Sequence, residues 1–232
     1  MTSYAIITGD IVSSGKIKPV VREKLFASIN DLLKKMKRKW ISDYETYRGD
    51  SLQCVAASPE KSLRIALIIR SYLKSYEPPS AEPKKTSKKK KIAIKGYFTT
   101  SFDIRVAIGI GKADFINKKK ISSSDGEAFR FSGSTLDQLK ENSQRLGIKT
   151  FNKNFDFQIE PSILLLDGLI QKWTQNQAEL VYHKLQDKKE DEIAALLGIS
   201  QSAVNQRTKT AQWYAIEKLI EYFESTIKNW AQ

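Results

Sequence analysis

Residues 4–12 read Tyr4-Ala5-Ile6-Ile7-Thr8-Gly9-Asp10-Ile11-Val12, a short apolar run with one acidic residue near its end. A run of this length, rich in β-branched residues, predicts a buried strand that delivers Asp10 to a strand terminus. The rest of the first 160 residues reads as what such a strand pairs with and packs against. From Pro19 to Trp40 the apolar residues Val21, Leu25, Ile29, Leu32, Leu33, Met36 and Trp40 recur at helical spacing, and Pro19 stands where a helix can begin. Two β-prone runs, Tyr44 to Tyr47 and Leu52 to Ala57, flank Arg48-Gly49-Asp50-Ser51. That pattern predicts a hairpin with Asp50 at its tip.

Ser58-Pro59-Glu60 opens a second helix, with Ser58 as cap and Pro59 in its first turn, carrying Leu63, Ala66, Leu67, Arg70 and Leu73. Asp103 to Gly111 predicts another buried strand, and Asp125 through Leu146 a third helix. A last strand is expected near Phe155 to Ile159, just ahead of Pro161. The order strand, helix, hairpin, helix, strand is a split βαβ arrangement, with two helices on one face of an antiparallel sheet. The expected class is α+β: a ferredoxin-like β-α-β-β-α-β palm over residues 1–160, followed by a small all-α helix-turn-helix domain over 161–232.

Composition agrees with a packed core, because 41% hydrophobic and 10% aromatic residues are too many for a disordered chain. The one cysteine, Cys54, lies in an apolar stretch and permits no internal disulfide, which argues against an oxidising compartment. Met1 to Val12 lacks the basic-then-apolar pattern of a leader, and no apolar run approaches the roughly 20 residues that span a bilayer. A cytoplasmic protein with no membrane partner is expected. The net charge of +13 is unevenly spread: from Pro161 onward eight Lys+Arg face nine Asp+Glu. Much of the excess falls in the lysine-rich stretch near residues 78–97, expected to be a mobile insertion.

In the split βαβ order the first strand lies beside a hairpin strand, so Asp10 and Asp50 meet at one edge of the sheet. Two adjacent carboxylates repel one another, and a divalent cation removes the repulsion, since Mg²⁺ takes one or two carboxylates together with phosphate oxygens and water. Two such ions would suit phosphoryl or nucleotidyl transfer. The plainer alternative is that Asp10 caps a turn and Asp50 closes the hairpin.

Four motifs carry a family resemblance: Ile7-Thr8-Gly9-Asp10-Ile11-Val12-Ser13-Ser14, Tyr47-Arg48-Gly49-Asp50, Arg105-Val106-Ala107-Ile108-Gly109-Ile110-Gly111 and Asp125-Gly126-Glu127-Ala128-Phe129. Together they resemble the SatD family and, more distantly, the palm of class III nucleotidyl cyclases and diguanylate cyclases, over roughly residues 4–150. The resemblance implies that Asp10 and Asp50 hold Mg²⁺ or Mn²⁺, helped by the carbonyl of Ile11. It places Ser13 and Ser14 near a triphosphate; Arg48 and Arg130 are further candidate nucleotide contacts, Arg130 being the nearest candidate for the cyclases' arginine, at a position that does not match. The chain departs from cyclases at Thr46, where they usually carry a lysine, and it lacks their asparagine and arginine spaced four apart in the helix after Gly126.

The C-terminal part begins a helix at Thr174. Asp191 to Arg207 then reads as two helices joined at Gly198, with Ser200 capping the second. This resembles the region 4 helix-turn-helix of sigma factors. The outward residues Gln201, Ser202, Asn205, Gln206 and Lys209, with Arg207 to one side, suit double-stranded DNA: amides for adenine edges, cations for phosphates. A solvated polar face or an interaction module is the plainer reading. The apolar stripe from Trp213 to Trp230 is core, with part of it available to a homodimer. The leading expectation is a DNA-binding transcriptional regulator with a nucleotide- or metal-sensing palm. The alternatives are a metal-dependent nucleotidyl cyclase or transferase using Asp10 and Asp50, and an inert scaffold.

Overall fold

The computed structural model describes residues 3–78 and 102–230. The lysine-rich stretch expected to be mobile lies outside the described residues, apart from Pro78. The protein is mixed α+β, built on one five-stranded sheet.

Five strands, β1 (Tyr4–Ile11), β2 (Ile41–Tyr47), β3 (Ser51–Ala56), β4 (Ile104–Gly111) and β5 (Leu146–Thr150), run side by side in the order β2-β3-β1-β4-β5. All neighbours are antiparallel except β4 and β5. The central strand is β1, and Ala5, Ile6 and Ile7 are fully buried, because helices cover both of its faces.

Helices α1 (Pro19–Met36) and α2 (Ser62–Ser75) lie on one face, and α3 (Glu127–Glu141) lies on the other. Pro19 opens α1, where its missing N–H costs nothing, and Leu25, Ile29, Leu33 and Met36 form its buried stripe. In α2 Leu63, Ile65, Ala66, Leu67, Ile68 and Ile69 are all buried, as befits a helix enclosed on every side. The sheet is one neighbour, and α5 (Gln175–Lys184) and α8 (Trp213–Trp230) supply the others. Close approach of α3 to β4 depends on Gly109, where a Cβ would collide with the Ala128 carbonyl.

The predicted strand over Phe155 to Ile159 is instead part of α4 (Lys153–Gln171). Alternating Phe155, Phe157 and Ile159 suggests a strand, but the buried set is Phe155, Ile159, Ile163, Leu166 and Ile170, a helical period, while Phe157 is 80% exposed. Asn152 starts the helix by accepting the Phe155 N–H. Pro161, the expected boundary, stands inside α4, on its exposed side. The third helix also ends earlier than expected: α3 stops at Glu141, Ser143 turns left-handed, and Leu146 begins β5.

The core is continuous from α1 and the sheet through α2 to α4, α5 and α8. A buried ionic cluster runs through it. Arg70 of α2 bridges Asp103, just before β4, at 3.0 Å and Asp167 of α4 at 2.6 Å. Burial pushes the Asp103 carboxyl up, but Arg70, Lys74 and Arg145 outweigh it and hold the group below its ordinary value. Cys54 sits in this core too, its thiol pushed up to about 12 by burial, so it is inert at neutral pH. Among the described residues no helix is long and apolar enough to cross a membrane.

Candidate functional site

Strand register fixes the position of the acidic pair. Asp10 lies opposite Ser51 of β3 on one side and Arg105 of β4 on the other. Asp50 immediately precedes Ser51 in a turn where Arg48 and Gly49 both have positive φ, and its carbonyl accepts the Ile11 N–H at 2.9 Å. That bond stitches the hairpin tip to the end of β1, so the two acidic residues share one end of the sheet.

Their surroundings differ. Asp50 is held by hydroxyls: Ser14 donates to Oδ2 at 2.6 Å and Ser51 to Oδ1 at 3.2 Å. Asp10 Oδ2 takes the Arg105 guanidinium at 3.3 Å, while its Oδ1 is buried without a hydrogen-bond partner. Burial pushes the Asp10 carboxyl above its ordinary value; Arg105 and Lys140 oppose this, and Asp50 adds to it. Tyr47 is affected by the same charges, its phenol raised by burial first and by Asp10 and Asp50 among the rest.

These residues fit a divalent cation in one respect. A buried carboxylate oxygen with nothing to accept is costly unless some positive group reaches it, and carboxylates are oxygen donors of the kind Mg²⁺ or Mn²⁺ takes. Among the described residues there is no cluster of three or more His, Cys, Asp or Glu able to hold a metal. Any cation there would complete its shell with water or phosphate oxygens.

The remaining expected residues scatter. Ser14 joins the pair through Asp50, and Ile11 is paired in the sheet above it. Ser13, left-handed at φ 55°, borders a separate cavity. Arg48 is exposed on the turn. Arg130 lies toward the far end of β4 from Arg105, bonded to Asp125 at 2.8 Å and Asp114 at 3.5 Å, away from the carboxylates. Arg105 and Lys140 were not singled out in the sequence. Arg105 lies within a quoted motif, but only antiparallel register reveals that it faces Asp10.

At the C-terminal end, α5, α6 (Glu190–Leu197) and α7 (Gln201–Thr210) surround a small core of Leu180, Ile193 and Val204. Gly198 adopts φ 62° between α6 and α7, and the Ser200 hydroxyl accepts the Ala203 N–H at 3.2 Å to start α7. Val204 points inward. Gln201, Ser202, Asn205, Gln206 and Lys209 are all exposed along the opposite side. Arg207 turns from that row toward α5, where its guanidinium lies 3.8 Å from Glu179. Comparison of the chain with models of known protein families gives no match, and comparison with curated proteins gives none.

Proposed function

We propose that this chain is a DNA-binding transcriptional regulator whose sheet-end carboxylate pair takes a divalent cation together with a nucleotide. The observation that carries the DNA half is the exposed row on α7. Gln201, Ser202, Asn205, Gln206 and Lys209 stand clear of the core on a helix that is capped, seated on Val204 and entered through a left-handed glycine. Two helices joined by such a turn have the form of a helix-turn-helix, whose second member enters the major groove. The strand order β2-β3-β1-β4, with α1 and α2 on one face, supports a ferredoxin-like palm for the other half. The module is nearly neutral, and phosphate neutralisation dominates affinity for DNA, so two copies acting as a homodimer would double the contact.

Selection from random duplexes followed by gel retardation tests this reading. The protein should enrich a defined sequence, and changing Asn205 and Gln206 together to Ala should abolish the preference while leaving the circular dichroism spectrum unchanged. Absence of any enriched sequence at low salt would overturn it.

A second reading, nucleotidyl transfer, is favoured by one specific observation: the buried, unpartnered Oδ1 of Asp10. In that reading Asp10 and Asp50 hold Mg²⁺ or Mn²⁺ and the nucleoside triphosphate lies against Ser14. Incubation with Mn²⁺ and each nucleoside triphosphate, with release of pyrophosphate lost on Asp50→Ala, would support the enzyme.

A further inference from the structure

A cavity of about 510 Å³ opens where β1 gives way to the loop before α1. Its volume falls within the range of small-molecule sites, about 300–1,000 Å³. Its lining combines apolar Ile17, Val21 and Phe102 with basic Lys16, Lys18 and Arg145. Among the described residues neither lysine forms an ion pair.

Arg145 belongs to the buried ionic cluster. Asp103, which also borders the cavity, is reached by Arg145 at 2.7 Å, Arg70 at 3.0 Å and Lys74 at 3.6 Å. Asp167 takes Arg70 at 2.6 Å and the Arg145 backbone N–H at 2.9 Å. Two guanidiniums and Lys74, whose ammonium burial pushes below its ordinary value, therefore share two carboxylates, and Arg145 is the member of the cluster that reaches the cavity. Arg145 commits one guanidinium nitrogen to the cluster. The rest of its guanidinium has no partner among the described residues, and the side chain is 30% exposed. A planar fork left open in this way matches a carboxylate or phosphate.

We propose that this cavity binds a small organic anion, its carboxylate or phosphate head against Arg145 with Lys16 and Lys18 alongside, and a flat apolar body against Ile17, Val21 and Phe102. Neither Asp10 nor Asp50 lines the cavity, although Val12 and Ser13 of the loop after Asp10 do, and the contacts proposed here use neither aspartate and no metal.

Isothermal titration of the full chain in EDTA, with 1-naphthoate, AMP, inorganic phosphate and neutral 1-naphthamide, tests the proposal. Naphthoate or AMP should bind one to one, and whichever is tighter tells a carboxylate head from a nucleotide. Phosphate, which lacks the body, and naphthamide, which lacks the charge, should each bind at least about tenfold more weakly. Val21→Trp should fill the cavity and abolish binding. Arg145→Ala also removes a cation from buried Asp103 and so perturbs the fold; Lys16→Ala with Lys18→Ala, on exposed positions, carries the charge test and should weaken binding severalfold. No binding of either organic anion at millimolar concentration, or binding unchanged in Val21→Trp, would overturn it.

Discussion

Arg105 stands directly across from Asp10 in the β1–β4 register, and its guanidinium lies 3.3 Å from Asp10 Oδ2. If the carboxylate pair takes a divalent cation, this guanidinium competes with it for Asp10. Replacing Arg105 by Met leaves Asp10 free of its competing positive charge, and Mn²⁺ affinity, followed by electron paramagnetic resonance, should rise about 5- to 10-fold, or roughly 1 kcal/mol. Unchanged affinity would mean that the ion does not use Asp10.

The raised pKa of Asp10 has a definite sign for stability. The folded chain keeps this proton to higher pH than the unfolded chain does, so the group's contribution is full at low pH and is lost as pH rises through the folded value. Asp10→Asn should therefore gain stability relative to the parent as pH rises, and the gap should close on acidification. Urea unfolding from pH 4 to 8 measures it.

Arg70 has the opposite character. Removing it as Arg70→Met leaves Asp103 and Asp167 buried with weakened partners, a change that costs about 3–5 kcal/mol. Asp103 is held below its ordinary value, so its contribution is present above 3.8 and disappears as pH falls further. Acid titration of the folded chain should show this loss, and Asp103→Asn should remove that part of the slope.

Two glycines separate backbone strain from collision. At Gly198 nothing lies within reach of an added Cβ, and only its left-handed φ of 62° resists substitution, so Gly198→Ala should cost about 1 kcal/mol. At Gly109 a Cβ meets the backbone of α3, and Gly109→Ala should cost about 3 kcal/mol or more as the helix is forced off the sheet. Chemical denaturation of both variants tests the contrast.

If α7 lies on DNA, Lys209→Ala should weaken binding to all duplexes alike and reduce the slope of log affinity against log salt by about 1. Arg207→Ala, already turned toward Glu179, should change that slope less. Fluorescence anisotropy across a salt series distinguishes them.

Much of the sheet was legible in the sequence because β1, β3 and β4 are short apolar runs, and the hairpin turn carries Gly49. The strand β5 was not, since Leu146-Gly147-Ile148-Lys149-Thr150 is a parallel edge strand with a glycine and a lysine and no clear alternation. Phe155 to Ile159 misled for the opposite reason: a period of two survives by chance inside a helix whose burial follows 3.6. At the acidic pair, the two aspartates and Ser14 could be named from motifs. Arg105 and Lys140 could not, because both depend on which residues face each other across strands and helices distant in sequence. The ionic cluster of Arg70, Asp103 and Asp167 was likewise hidden, as three charged residues scattered over some hundred positions show no pattern until the chain is folded.

The enclosure of α2 bears on how the polypeptide can be dissected. A fragment ending at residue 160 would lose α5, α8 and most of α4, baring a greasy flank and stranding Arg70 without Asp167. Such a piece should aggregate, and the intact molecule should melt in one calorimetric endotherm. Any laboratory wishing to study the sheet by itself would have to redesign that flank first.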